Sequence, residues 1–173
     1  MKLVAGLGNP GAEYKGTRHN VGFEFVEKMA EGEKFSFDRK LEAEVCKAGR
    51  VVFVKPQTFM NDSGRAVRKV SDFYKISRSA VILVHDDLDL KLGDYKIQMG
   101  VGPKVHNGVS SVEECLGGKD FWRVRLGIDN RDKNDQSVNG ADYVLAKFRP
   151  EELETVEEMI EEAVEDLLVI LGL

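Results

Sequence analysis

Val81-Ile82-Leu83-Val84-His85-Asp86-Asp87 runs four apolar residues directly into a histidine and two aspartates. A stretch that is apolar at every position lacks the alternation of a strand with one wet face. It reads as a central strand covered on both sides, stopping where the charge begins, so that Asp86 directly follows it. Covering both faces takes helices, and the flanking sequence supplies them. Upstream, Ala66, Val67, Val70, Phe73 and Tyr74 form a helical stripe, with Arg65, Arg68, Lys69 and Lys75 mostly off it as one solvated basic face. Before that, Glu42–Cys46 and Arg50–Lys55 flank the turn signal Ala48-Gly49 and predict a hairpin. Gly22, Phe25, Val26 and Met29 predict a helix over roughly 20–31, and Leu3–Leu7 reads as a buried strand entering the loop Gly8-Asn9-Pro10-Gly11. Downstream, Tyr95–Met99 and Phe121–Ile128 read as strands on either side of a helix marked by Val109, Val112, Cys115 and Leu116. Asp129–Gly140 is polar and reads as a mobile loop, and Leu153, Val156, Ile160, Ala163, Val164, Leu167 and Leu171 form a long amphipathic helix. Strands alternating with helices imply an α/β sandwich with a mostly parallel or mixed sheet.

The chain has 173 residues, of which 42% are apolar and 32% charged, as expected of one globular domain with a full core. Its formal net charge of −5 argues at face value against a nucleic-acid partner. The charge is unevenly placed, however: 151–173 carries nine acidic residues and no Lys or Arg, leaving 1–150 at +4. Cys46 and Cys115 lack CxxC spacing and read as reduced thiols. No apolar stretch suits a signal peptide or a membrane span, so a cytoplasmic protein without a membrane partner is expected.

Gly6-Leu7-Gly8-Asn9-Pro10-Gly11 fits the G-x-G-x-x-G pattern after a strand. The residues that follow, 12–17, lack an apolar stripe, and no acidic residue ends a second strand about 20 residues on. The glycines therefore read as a tight strand-to-loop turn. The polar residues Asn9, Asn61 and Asp86 fall at strand ends, His19 lies just after Asn9, and His106-Asn107 precedes a helix. In open α/β sheets the working site gathers at the carboxyl ends of strands. There is no G-x-S-x-G elbow, and neither cysteine has an activating context. A histidine paired with an aspartate can activate water as a general base, while asparagine amides donate to an oxyanion. This is the chemistry of hydrolysing an activated carbonyl such as an ester. A metal is the competing reading, with His19, His85, His106, Asp86 and Asp87 as conceivable ligands. No H-E-x-x-H or cysteine cluster supports it.

Five stretches carry a resemblance to a known family. Asn9-Pro10-Gly11-Ala12-Glu13-Tyr14-Lys15-Gly16-Thr17-Arg18-His19-Asn20-Val21-Gly22 resembles the first signature of bacterial peptidyl-tRNA hydrolases. Lys55-Pro56-Gln57-Thr58-Phe59-Met60-Asn61-Asp62-Ser63-Gly64 is similar to the second, Val84-His85-Asp86-Asp87-Leu88-Asp89-Leu90 to the third and His106-Asn107-Gly108 to the fourth. Tyr143-Val144-Leu145-Ala146-Lys147-Phe148 resembles a late strand and turn of the family. The resemblance implies a monomeric enzyme without metal or cofactor, folded over 1–173 as a single three-layer α/β/α domain with a central mixed, mostly parallel twisted sheet. It implies hydrolysis of the ester between a peptide and the 3′ end of tRNA, recycling tRNA from dropped-off peptidyl-tRNA. His19 would be the general base and Asp86 its orienting carboxylate. Asn9 and Asn61 would hold the peptide and ribose region, and Asn107 would bind substrate and help place the water. Met60 would form an apolar wall, Tyr14 would lie beside the terminal adenosine, His106 would be peripheral, and Arg125 would contact a tRNA phosphate.

The chain departs from the family pattern at Gly100-Val101-Gly102-Pro103-Lys104-Val105-His106-Asn107-Gly108, where Val101, Lys104 and Val105 replace glycines. A differently shaped loop is the expectation there. Gln98 stands at a position that is basic in the family, and Asp129-Asn130-Arg131 replaces a glycine-proline continuation. The alternative reading is a non-catalytic RNA-binding protein of the same fold, like an organellar splicing-factor branch. An RNA-facing patch is expected from some of Lys91, Lys96, Lys104, Arg123, Arg125, Arg131 and Lys133, with the acidic 151–173 segment on the side opposite Arg125 and His19.

Overall fold

A computed structural model describes residues 1–132, 134 and 137–172. The strands are β1 (Lys2–Gly6), β2 (Ser36–Asp38), β3 (Ala43–Ala48), β4 (Val51–Pro56), β5 (Val81–Lys91), β6 (Tyr95–Met99) and β7 (Trp122–Asp129). The helices are α1 (Val21–Met29), α2 (Ser63–Phe73), α3 (Asn107–Leu116), α4 (Gly140–Leu145) and α5 (Leu153–Leu171). All seven strands join one sheet in the order β2-β3-β4-β1-β5-β7-β6. The pairings β4·β1, β1·β5 and β5·β7 are parallel, and those toward the two edges are antiparallel, so the sheet is mixed as expected.

Helices cover both faces, and alternation along the strands divides the core. Val4, Phe53, Ile82, Val84, Val124, Leu126 and Ile128 pack on the side of α1 and α5. Leu3, Ala5, Val52, Val54, Val81 and Leu83 pack on the side of α2 and α3. This doubly covered centre explains why Val81–Val84 is apolar without interruption.

Several expectations change. The central strand does not stop at charge but continues through His85-Asp86-Asp87 to Lys91. Its partner β1 pairs with it only as far as Gly6↔Val84, whereas β7 follows it further, through Asp86↔Leu126 and Asp87↔Gly127. Asp86 is thus inside a strand by pairing, yet past the carboxyl end of its other neighbour, where a pocket can form. The stretch Tyr143–Phe148 is no strand: α4 takes its first half, through Leu145, and only a Thr17↔Lys147 bridge is strand-like. The polar stretch expected as a loop shares Asp129 with β7 and Gly140 with α4; Lys133, Asp135 and Gln136 lie outside the described residues. The basic face of α2 is partly neutralised, since Arg65 and Lys69 pair with Glu42, and Arg68 pairs with Asp72. The hairpin β3–β4 falls where Ala48-Gly49 predicted it.

The glycines of the first loop serve packing. A Cβ on Gly22 would lie 2.6 Å from Leu7 N and Val84 O, and one on Gly6 would overlap the Gly22 carbonyl. Their absence lets α1 settle directly on the ends of β1 and β5. The consequence is that the residues just before α1, including His19, are lowered onto the end of β5.

Candidate active site

A short 3-10 helix, Arg18–Asn20, leads into α1 and delivers His19 to Asp86. His19 Nδ1 lies 2.8 Å from Oδ1 and 2.9 Å from Oδ2 of Asp86. Asp86 is buried, and burial alone would push its carboxyl up. The imidazoles of His106 and His19 outweigh burial and hold it below the ordinary carboxylate range. An ionised Asp86 only accepts, so His19 donates from Nδ1, and in the neutral ring the lone pair is then on Nε2. The His19 side chain is 14% exposed, so this nitrogen is reachable.

His106 closes on the same carboxylate, its Nε2 lying 2.8 Å from Asp86 Oδ1. As N-cap of α3 it also accepts a bond from Val109 N at Nδ1, 3.3 Å away. One ring nitrogen donates and the other accepts, which fixes the tautomer. His85 Nδ1 donates to the Asp86 carbonyl at 2.8 Å, while its Nε2 is buried without a partner among the described residues. Burial, followed by the nearby His106, pushes His85 down to about 3.

Asn9 follows β1 and is held by three bonds. Its N–H and C=O bond the Asn20 side-chain amide at 2.9 Å each, and its Oδ1 accepts from Met60 N at 2.8 Å. Because Met60 N is a donor, Oδ1 must face it, which leaves Asn9 Nδ2 for the pocket. A cavity of about 590 Å³ opens here and is lined by Asn9, Tyr14, His19, Met60, Asn61, Asp86, His106 and Asn107, along with apolar residues of α4 and the preceding loops. Eight of the nine expected site residues therefore converge on one space.

Arg125 is the exception and does not line this cavity. It is 8% exposed, with Nε 2.7 Å from Asp87 Oδ2 and Nη1 2.9 Å from the Gln98 side-chain oxygen. Arg123, expected among the RNA-facing cations, is fully buried and paired with Glu113. It stacks on Phe121 and belongs to the core. Lys91, Lys96 and Lys104 are exposed. The acidic α5 packs against the sheet face bearing Val124, Leu126 and Ile128; strand alternation points Arg125 the other way. No residue of α5 lines the cavity with His19. The replaced glycines at Val101, Lys104 and Val105 adopt no positive φ, so these side chains sit there without backbone strain.

Two residues escaped the sequence reading. Asn20 orients Asn9, as above. Arg18 is buried and donates from Nη1 to the carbonyls of Tyr143, Ala146 and Lys147 at 3.5, 3.2 and 2.9 Å, and from Nη2 to Glu152 at 2.8 Å. Its guanidinium lies 4.0 Å from the Tyr143 ring centroid. Arg18 thereby ties the His19 segment to α4, one wall of the cavity. The usable signal was its position beside His19; spacing alone does not reveal its pairing with the distant Glu152.

His19, Asp86 and His106 could offer one ligand atom each to a metal, all within 4.8 Å of one another. Both nitrogens already sit 2.8 Å from the carboxylate, a hydrogen-bond distance. Around an ion with ligands at about 2.1 Å they would stand roughly 3.4 Å apart. The arrangement as it stands is a proton-ordered network suited to taking a proton at His19 Nε2.

Comparison with known proteins bears on what that network acts upon. The family model described as Peptidyl-tRNA hydrolase matches residues 3–172. A peptidyl-tRNA hydrolase of Mycolicibacterium vanbaalenii is 45% identical over 179 residues, covering 99% of this chain and 92% of the relative. One from Dehalococcoides mccartyi is 40% identical over 176 residues, covering 99% and 93%. The crystal structure of peptidyl-tRNA hydrolase from Acinetobacter baumannii superposes with a TM-score of 0.88 at 33% identity, covering 99% of this chain and 89% of that one.

Proposed function

The chain belongs to the peptidyl-tRNA hydrolase family and hydrolyses peptidyl-tRNA, and we propose that it does so through general-base activation of water by His19. The observation that carries this reading is the Nδ1–carboxylate bond of His19 to a buried, ionised Asp86, which leaves Nε2 as a reachable base. Nε2 takes a proton from water as the water oxygen attacks the ester carbonyl joining the peptide to the ribose 3′ oxygen. Asp86 stabilises the imidazolium that forms. Asn9 Nδ2, with the amides of Asn61 and Asn107, donates to the developing oxyanion and positions peptide and ribose. The intermediate collapses, the carbonyl carbon–oxygen bond to the ribose breaks, and the imidazolium returns its proton to the leaving 3′ oxygen. The peptide acid and free tRNA result.

Met60 supplies an apolar wall and Tyr14 lies beside the terminal nucleoside; His106 holds Asp86 from behind. Arg125 spends two donors on Asp87 and Gln98. Its Nη2 takes no partner among the described residues and is the donor we assign to a tRNA phosphate, alongside Lys91, Lys96 and Lys104. No helix among the described residues is long and apolar enough to cross a membrane.

Incubation with an N-acetylated aminoacyl-tRNA tests the reading. Release of the N-acetyl amino acid, with an affinity that falls steeply as salt rises, is expected. Tight binding without release would favour the non-catalytic RNA-binding alternative.

A further inference from the structure

We propose that the mouth of the cavity carries an aliphatic subsite centred on Val105, which favours substrates whose residue next to the scissile ester has an apolar side chain. The proposal rests on the hydrolase reading and adds a preference which that reading does not contain. Large apolar side chains are scattered over most surfaces, but here three exposed ones, including the most exposed among the described residues, converge on one rim. Val105 is 85% exposed, Phe59 61% and Leu145 47%, and all three line the cavity together with Val144 and Leu88. A contiguous apolar rim around a polar floor marks a surface that a ligand covers.

The occupant follows from the floor. His19 and the amides of Asn9, Asn61 and Asn107 engage the ester carbonyl, so the rim meets groups within a few bonds of it. The substrate offers two such groups, the terminal nucleoside on the alcohol side and the α-carbon side chain on the acyl side. Tyr14 and Phe59 pack edge to face with centroids 6.4 Å apart and present a flat ring surface, which suits a base. Val105, Leu145, Val144 and Leu88 are aliphatic, offer no stacking face and suit a side chain. The Lys104 N–H bonds Asp89 Oδ2 at 2.9 Å, and His106 is tied to Asp86, so Val105 is held on both sides at the rim.

The test is kcat/KM for one tRNA body carrying N-acetyl-Leu, N-acetyl-Val, N-acetyl-Gly or N-acetyl-Asp, measured on the wild type, Val105→Gly and Val105→Thr. Wild type is expected to prefer the Leu and Val esters by roughly ten-fold, the order of one partly buried aliphatic contact. Val105→Gly should bring the four substrates within about two-fold, chiefly by losing rate on Leu, and Val105→Thr, which keeps the shape, should lower the preference about three-fold. Equal wild-type values, or a preference unchanged in both variants, would overturn the subsite. Absence of release from all four substrates would instead remove the hydrolase reading. Threonine keeps the volume at this exposed position, so it decides the matter should the glycine variant fold poorly.

Discussion

His106 Nε2 and Asp86 Oδ1 stand 2.8 Å apart, and His19 Nδ1 lies 2.8 Å from that same oxygen and 2.9 Å from Oδ2. One carboxylate therefore orders two imidazoles, one of them rigid as a helix N-cap and the other open to the cavity. The rigid partner fixes the carboxylate, and the carboxylate fixes the base. The active-site geometry thus depends on the start of α3 as well as on the segment before α1.

Asp86→Asn should keep the shape and lose the order. An amide carries no charge and puts an NH2 donor where Oδ2 accepted from His19, so the His19 tautomer and the imidazolium lose the group that favours them. kcat is expected to fall by roughly 10²–10⁴ while KM changes by no more than a few-fold. Steady-state kinetics on an N-acetylated aminoacyl-tRNA check this, and an unchanged kcat would remove the orienting role.

Arg18→Lys keeps the charge but loses the fork that reaches three carbonyls and Glu152. We expect a lower melting temperature and a kcat lower by roughly ten-fold even well below it, since His19 and α4 lose their common anchor. A melting temperature that falls while kcat stays at the wild-type value would make Arg18 a fold residue only.

Buried His85 makes stability depend on pH in a defined window. Its folded value, pushed down by burial to about 3, lies below its ordinary 6.5. The unfolded chain binds the proton more readily, so stability falls as pH drops from about 6.5, by up to about 1.4 kcal/mol per unit. The Asp86 contribution is intact until pH falls below its unfolded value of 3.8. Between pH 6.5 and 4.5 the His85 contribution runs against that of Glu24, whose raised carboxyl titrates in the same window, so the His85 share is isolated by comparing a variant with the wild type. In denaturant melts across that range His85→Asn should lose less stability on acidification than the wild type does; an identical pH dependence would contradict the assignment.

Glu24 acts in the opposite sense. Burial, then the neighbouring Glu27, raises it from 4.5 to about 7 against the pull of Lys15. The folded chain holds this proton more tightly, so stability falls as pH rises from about 4.5 through 7. Glu24→Gln is expected to stabilise the protein at pH 8 by about 1–2 kcal/mol, allowing for solvent screening, and to leave it nearly unchanged at pH 5. Thermal melts at the two pH values give the comparison.

The parts of this molecule that were legible in its sequence are those governed by local pattern. The apolar Val81–Val84 gave away the doubly covered strand, and the stripes of α1, α2, α3 and α5 gave away the two helical layers. Strand-end polar residues pointed to one sheet edge, and the pairing of His19 with Asp86, 67 residues apart, was expected from the family resemblance rather than from spacing. What stayed hidden depends on long-range partners. That β5 runs on through charged residues follows from β7 pairing beyond the end of β1, and no local pattern reports it. The burial of Arg18 and Arg123 follows from Glu152 and Glu113 lying opposite them, so a cation that looked like a surface residue became part of the core. The short helix α4 replaced an expected strand because its ends are fixed by Asn139, whose side chain caps Asp142 N, and by the Arg18 contacts.

The most direct measurement is single-turnover release from an N-acetylated aminoacyl-tRNA by wild type and His19→Ala, each with and without chelator. Wild type should be indifferent to chelator, and His19→Ala should be slower by roughly 10³–10⁴ with substrate binding retained. Full activity in His19→Ala, or wild-type activity lost to chelator and restored by a metal ion, would contradict general-base activation of water at His19.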